Sequence, residues 1–283
     1  RTGEVTIYTG SAGSGKSTVL MQMAIEVMEQ EKRVLIYTPE LKNSQFKRWT
    51  VKQMLGELLE NKLLKKYDEL EDSNKYEVKK EYTDKMSLWL DKRMNLISSN
   101  VTKSKMEMIK TIKRDIKRYN SKFIIIDNLM KIQFDDNNLN EEQKDFVSQL
   151  SDIAKQFDVS INLVAHPKKH EMNFPNQYDV SGSSNMTNLV DNIYYFRRLT
   201  DSALEQKPFN TKAQELREKN ISCALIVLKS REGKKIGDWI WFSFDIQRKR
   251  ITHHLDSKPH FNNKWEKEEN NNLDDFDIDF SKF

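Results

Sequence analysis

Eight consecutive residues, Gly10-Ser11-Ala12-Gly13-Ser14-Gly15-Lys16-Ser17, fit the spacing G-x-x-x-x-G-K-[ST] in full, with Thr18 next in the chain. An apolar run from Val5 to Tyr8 precedes them, and a helical pattern from Ser17 to Glu29 follows. That strand-loop-helix setting is the one a phosphate-binding loop requires. Glycines let backbone N–H groups turn inward, the helix start adds its positive end, Lys16 reaches the β- and γ-phosphates, and Ser17 can ligate Mg²⁺. The stretch Gly10 to Thr18 is therefore predicted to bind ATP or another nucleoside triphosphate, with Mg²⁺ as cofactor. The competing reading, a glycine-rich turn before an ordinary amphipathic helix, leaves Lys16 unexplained.

Hydrolysis needs three more things: a carboxylate supporting Mg²⁺, a carboxylate that orients water, and a cation that stabilises charge developing on the γ-phosphate. Asp127 ends the apolar run Phe123 to Ile126, where an unpaired carboxylate is costly and a metal makes it tolerable. A helix N-cap is its alternative role. Glu40 lies just beyond Val34 to Tyr37, and in an open parallel sheet ligands bind beyond the carboxyl ends of the strands. Glu40 is thus the candidate base; a solvated glutamate at a helix start is the bland alternative. His166 follows Ile161 to Val164 and reaches the same rim, where a neutral imidazole can hydrogen-bond the γ-phosphate. Lys168 and Lys169 come next and suit phosphodiester contacts. Late in the chain the cations of Lys229-Ser230-Arg231 follow a strand. Arg231 can serve as an arginine finger for a neighbouring subunit, or be a surface cation in a hairpin.

The elements that must hold these residues follow an alternating pattern. Short β-branched or aromatic runs recur at Val34 to Tyr37, Phe123 to Ile126, Ile161 to Val164, Ile193 to Phe196 and Ala224 to Leu228, with helical stretches between them. This predicts an α/β fold with a mostly parallel central sheet flanked by helices. Ala224 to Leu228, Trp239 to Phe244 and Arg250 to His253 lie close together and predict an antiparallel C-terminal extension. Residues 49 to 120 read as charged helices around one short strand, Asn95 to Ser98. Asp135 to Asn140 and Lys168 to Tyr178 read as loops. From Ser257 periodicity is lost, and the end, Leu273 to Phe283, alternates acids with phenylalanine and isoleucine. Residues 1–256 are expected to form one domain and 257–283 a disordered docking tail.

Composition sets outer bounds. The chain has 283 residues, 37% of them hydrophobic and 32% charged, enough for one large α/β domain with an appendage. It has no apolar run near the roughly 18 residues a bilayer span needs, and no secretory n-region and h-region is read in these residues. A single cysteine, Cys223, excludes an internal disulfide and fits a cytoplasmic or similarly reducing compartment. Net charge is +4, but seven acidic and three basic side chains from Lys264 onward leave the preceding body at +8. A basic body suits a nucleic-acid partner. The chain starts at Arg1, a few residues before the first strand, so material upstream is expected.

Taken in order, these residues resemble the RecA-like motor domain of hexameric replicative helicases, most closely the phage primase-helicase and mitochondrial Twinkle branch, with DnaB more distant. The matching stretches are Gly10 to Thr18, Tyr37 to Leu41, Phe123 to Met130, Val164 to Lys169, Val180 to Asp191 and Lys229 to Gly233. The resemblance implies that Glu40 is the catalytic base, Asp127 the Mg²⁺-supporting acid, His166 the γ-phosphate sensor, and Lys229 with Arg231 a pair acting in trans. It also implies that Phe244 stacks on the nucleotide base. Loops Pro167 to Tyr178 and Val180 to Asn188, with Lys168, Lys169, Gly182, Ser183 and Asn188, would contact single-stranded DNA in a homo-hexameric ring. The segment 49–120 matches no motif of that family, and the upstream linker helix by which its members grip a neighbour has no counterpart.

Three functions share this core. The first is an NTP-dependent DNA helicase motor, with the tail docking on a replication protein such as a polymerase. The second is a RecA-like recombination or loading ATPase that binds DNA without unwinding it. The third, a small-substrate P-loop kinase, gives no reason for Lys229 and Arg231.

Overall fold

The computed structural model describes residues 1–55, 63–65, 76–97, 102–168, 175–181, 184–233, 236–245, 248–253 and 264–267. In chain order its first half runs β1 (Val5–Gly10), α1 (Lys16–Glu29), β2 (Val34–Tyr37), α2 (Asn43–Gln53), β3 (Leu63–Lys65), β4 (Tyr76–Val78), α3 (Lys80–Arg93), β5 (Met94–Ile97), β6 (Lys103–Ser104), α4 (Lys105–Tyr119) and β7 (Phe123–Ile126). The second half runs β8 (Ile132–Gln133), α5 (Leu139–Phe157), β9 (Ser160–Val164), α6 (Ser184–Leu189), β10 (Asn192–Arg198), α7 (Asp201–Leu204), α8 (Ala213–Glu218), β11 (Cys223–Ser230), β12 (Trp239–Asp245), β13 (Arg250–His253) and α9 (Lys264–Lys267).

Alternation along the strands builds two cores. Phe123 and Ile125 pack with Val34, Ile36, Tyr8 and Val164 against residues of α1, α2 and α3, among them Leu20, Met28, Phe46 and Trp89. Ile124 and Ile126 point to the other face and pack with Val5, Ile7 and Leu163 against Met108, Ile112, Phe146 and Leu150 of α4 and α5. A strand buried on both sides must be apolar throughout, which is why β7 reads Phe-Ile-Ile-Ile. The nine-stranded sheet has the order β13-β12-β11-β10-β1-β9-β7-β2-β5. From β5 to β10 neighbours are parallel; β11, β12 and β13 extend the sheet antiparallel. The expected α/β architecture, with its parallel centre and antiparallel extension, is therefore the observed one.

Local signals explain the helix ends. Ser104 and Glu107 form a reciprocal capping box at the start of α4, which ends at Asn120 in the left-handed conformation. Asp158 ends α5 the same way. Residues between β10 and β11 fold over the antiparallel strands, where buried Phe209 meets Trp239 and Trp241 edge-on.

Three expectations change. Asp135 to Asn140 is not a loop: Asp135 accepts a hydrogen bond from the Asn137 amide, opening a 3-10 turn, and α5 begins at Leu139 with Glu141 and Glu142 in its first turn. Segment 49–120 holds, besides its helices, the hairpin of β3 and β4, whose three-residue strands are too short to show a period. The tail is not uniformly without structure. Lys264–Lys267 forms a helical turn in which Trp265, 2% exposed, donates from Nε1 to the Met54 carbonyl at 3.0 Å and meets Tyr82 edge-on. The expected docking segment, Leu273 to Phe283, lies outside the described residues. Among the described residues no helix is long and apolar enough to cross a membrane.

Candidate nucleotide site and a distant pair of cations

Gly10 closes β1 directly beside Phe196 of β10. A Cβ there would lie 2.0 Å from the Phe196 carbonyl oxygen, and φ is +135°, so only glycine fits. Beyond it the chain turns through Gly13 at φ +69° and Gly15 at φ +98°, and Gly15 stands at the N-cap of α1 without a side-chain cap. The first-turn amides of α1 therefore face the loop, ready for an anion. Lys16, 7% exposed, folds back over this loop: Nζ donates to the carbonyls of Gly10 and Ser11 at 2.7 and 2.8 Å and to Ser14 Oγ at 3.4 Å. Burial lowers its pKa, opposed by the negative charges of Asp127 and Glu40.

Asp127, 6% exposed, follows β7, and its amide donates to the Tyr37 carbonyl at 2.8 Å. Ser17 Oγ donates to Asp127 Oδ2 at 2.5 Å. Burial raises the pKa of this carboxyl, the Ser17 bond lowers it, and the charge of Glu40 raises it again. A hydroxyl and a carboxylate meeting beside a phosphate loop are hard oxygen donors of the kind Mg²⁺ takes together with phosphate oxygens and water. Among the described residues no cluster of three or more His, Cys, Asp or Glu could hold a metal without such help.

Glu40 and His166 reach this rim from the ends of β2 and β9, and Asn128 stands between them. Its Nδ2 donates to Glu40 Oε1 at 2.6 Å and lies 3.1 Å from His166 Nε2. Over the loop sits the hairpin of β12 and β13. Gln22 of α1 exchanges two 3.0 Å hydrogen bonds with the Ile251 backbone, and a Cβ on Gly15 would lie 2.9 Å from Ile251 Cδ1. Phe244 pairs with Ile251 across the hairpin and shares its face, with Lys249 Nζ 5.7 Å from the ring centroid.

Lys16, Ser17, Glu40, Asp127 and His166 thus gather at one rim, with Phe244 in the hairpin above. Lys168, exposed, starts the loop after β9 there, and its amide donates to the Asp179 carbonyl at 2.7 Å. Lys229 and Arg231 do not join them. β11 runs antiparallel, so its end lies beside the starts of β10 and β1. Arg231 pairs with Asp191 at 3.0 Å, and Asp191, 3% exposed in its side chain, accepts from the Val5 amide at 2.9 Å. The six residues of β1 separate this rim from Gly10, roughly 17 Å at ~3.3 Å per residue. Lys229 Nζ donates to the carbonyls of Thr187 and Asn188 at 2.9 and 3.0 Å, capping α6. Asn188 is therefore near the far rim, apart from Lys168. Lys169, Gly182 and Ser183 lie outside the described residues.

The sequence reading missed Asn128, Arg198 and the role of Asp191 as the partner of Arg231. Asn128 follows Asp127 directly, but its residue type gave no signal of a role at this rim. Arg198 ends β10, parallel to β1, and its Nη1 would stand 3.7 Å from a Cβ on Gly13. Asp191 is forty residues from Arg231, and only the sheet brings them together.

A phosphate loop opening α1, an acid closing β7 and a parallel sheet carrying an antiparallel edge define a RecA-like P-loop ATPase domain. The chain belongs to the AAA domain family (AAA_25), which matches it over residues 1–172. Its fold is similar to that of a solved ATPase domain, with a TM-score of 0.66 at 12% identity, covering 89% of this chain and 86% of that one. It is equally similar, at TM-score 0.66 and 13% identity, to a DnaB-like replicative helicase described with its interactions with primase, covering 89% of this chain and 59% of that one. No curated protein matches the chain.

Proposed function

We propose that this domain is the motor of a replicative DNA helicase that hydrolyses ATP or another NTP at junctions between subunits of a ring and moves on single-stranded DNA. The observation that carries this reading is the separation of the catalytic set onto two rims of one sheet, in a fold shared with a DnaB-like replicative helicase. Arg231 is too far from its own phosphate loop to serve it, so a head-to-tail neighbour is the natural place for it to act.

Each residue then has a task. Lys16 and the first amides of α1 hold the phosphates, and Ser17 with Asp127 would hold Mg²⁺, which supplies positive charge against the leaving phosphate oxygens. Glu40 orients water, and His166 reads the γ-phosphate. Phe244 stacks on the base. The His166 carbonyl accepts from the Ser181 amide at 2.8 Å, and Pro167 bridges to Val180, so the histidine and the base of the loop after β9 move as one piece. That loop, with Lys168 and Lys169, carries single-stranded DNA, as do Gly182, Ser183 and Asn188 in the next segment. Lys229 is the second cation of this pair, held at the end of α6 by the Thr187 and Asn188 carbonyls.

Mixing subunits tests this. Arg231→Ala and Lys16→Ala should each lower DNA-stimulated hydrolysis by ~10³ or more, and a mixture should recover part of it, because junctions with an intact loop and an intact arginine then form. Normal hydrolysis by assembled Arg231→Ala would remove the finger assignment. Forked-duplex unwinding, scored beside strand exchange, separates the helicase from a recombination or loading ATPase.

A further inference from the structure

Asn128 has no part in the reaction just described, yet it touches two of its residues. It is 1% exposed and sits directly after Asp127. Chemistry fixes which way its amide faces. A carboxylate only accepts, so the nitrogen side must meet Glu40. The second N–H is then directed at His166 Nε2, which must accept, leaving the imidazole proton on Nδ1. Both donors of one amide are thereby spent on the water-orienting acid and the sensor. Its Oδ1 is buried without a partner among the described residues. A buried amide oxygen left so is destabilising, and an apolar residue of the same size would avoid that. Packing alone therefore does not explain an asparagine here.

The contact continues outward. His166 is tied through its carbonyl to Ser181, and Pro167 to Val180, at the base of the loop after β9; Lys168 and Asp179 add a third bond. Among the described residues, a series of contacts runs from the base of that loop through the His166 ring and the Asn128 amide to the Glu40 carboxylate.

We propose that Asn128 is a positioning residue that couples engagement of single-stranded DNA by this loop to the placement of Glu40. The proposal rests on the motor reading above. When DNA draws on the loop, His166 shifts against the Asn128 amide, and the same amide resets Glu40. DNA stimulation of hydrolysis passes through one side chain.

The test uses the full chain with magnesium, ATP and oligo-dT. Asn128→Leu keeps the branching of the side chain and removes both donors; Asn128→Ala, which cannot overpack the site, is the second variant. Binding of a fluorescent ATP analogue and of oligo-dT should persist, while the factor by which oligo-dT accelerates hydrolysis falls about tenfold or more. Combining either variant with His166→Ala should cost no further stimulation, since both cut the same series. A full stimulation factor in both Asn128 variants, or losses that multiply with His166→Ala, overturns the coupling. A parent protein whose hydrolysis ignores oligo-dT refutes the motor reading, and the coupling with it. Reduced thermal stability with an intact stimulation factor shows a structural role only and counts against the proposal.

Discussion

Asp127 carries a charge that its surroundings tolerate poorly, and this gives the site a measurable pH signature. Burial raises its native pKa above the ordinary value of 3.8, so the ionised form is penalised in the folded chain and not in the unfolded one. The penalty is complete above the raised native pKa and vanishes as pH falls through it towards 3.8. Asp127→Asn should therefore melt higher than the parent at pH 7 without nucleotide, and the gap should close in acid, as differential scanning fluorimetry would show. With Mg²⁺ and ATP the order should reverse, because the parent alone gains the metal. The glycines predict a contrast. Gly10→Ala drives a methyl into the Phe196 carbonyl and should lose about 3 kcal/mol or more in urea unfolding. Gly13→Ala meets only the Arg198 side chain, at 3.7 Å, and should lose about 1 kcal/mol. Most of the site was legible because its residues follow strand ends in order. Asn128 was not, since the chemistry of hydrolysis asks for acids, a cation and a sensor, and nothing in that requirement calls for an amide.

Helix α6 shows how an element is held by a side chain from far away in sequence. Six residues long, it is below the length at which a helix is stable by itself, and Lys229 closes its last carbonyls. Burial lowers the pKa of Lys229, helped by the positive Arg231 and opposed by Asp191. Lys229→Met should cost about 1 kcal/mol and speed hydrogen exchange of the α6 amides, leaving β1 and β7 protected. The long buried strands were readable from composition, because burial on both faces demands continuous apolar residues. Elements that depend on a partner were not readable. Neither the strands β3 and β4 nor α9 carries a period, and each is defined by what it pairs with or docks against. Trp265→Ala should free the α9 turn to proteolysis while the nucleotide site keeps its affinity.

At the scale of the whole molecule, the sheet is a spacer. Its length fixes the distance between the phosphate loop and Arg231, and the pairing of Asp191 with both Val5 and Arg231 makes that distance part of the core. The outer face of α4 exposes Lys110, Lys113, Arg114, Lys117 and Arg118 on a body that is basic before Lys264. Affinity for oligo-dT should accordingly fall roughly tenfold or more between about 50 and 200 mM salt, which anisotropy titrations would report. An uncharged, stacking-dominated contact would leave it nearly flat. On the proposed role of Arg231 in a neighbour's pocket, two complementary halves at opposite ends of one protein also govern how many engines an assembly owns. An open row of copies has one fewer finished pocket than it has members, with an idle loop at one end and an idle arginine at the other. Closing the circle is the only arrangement in which none is wasted.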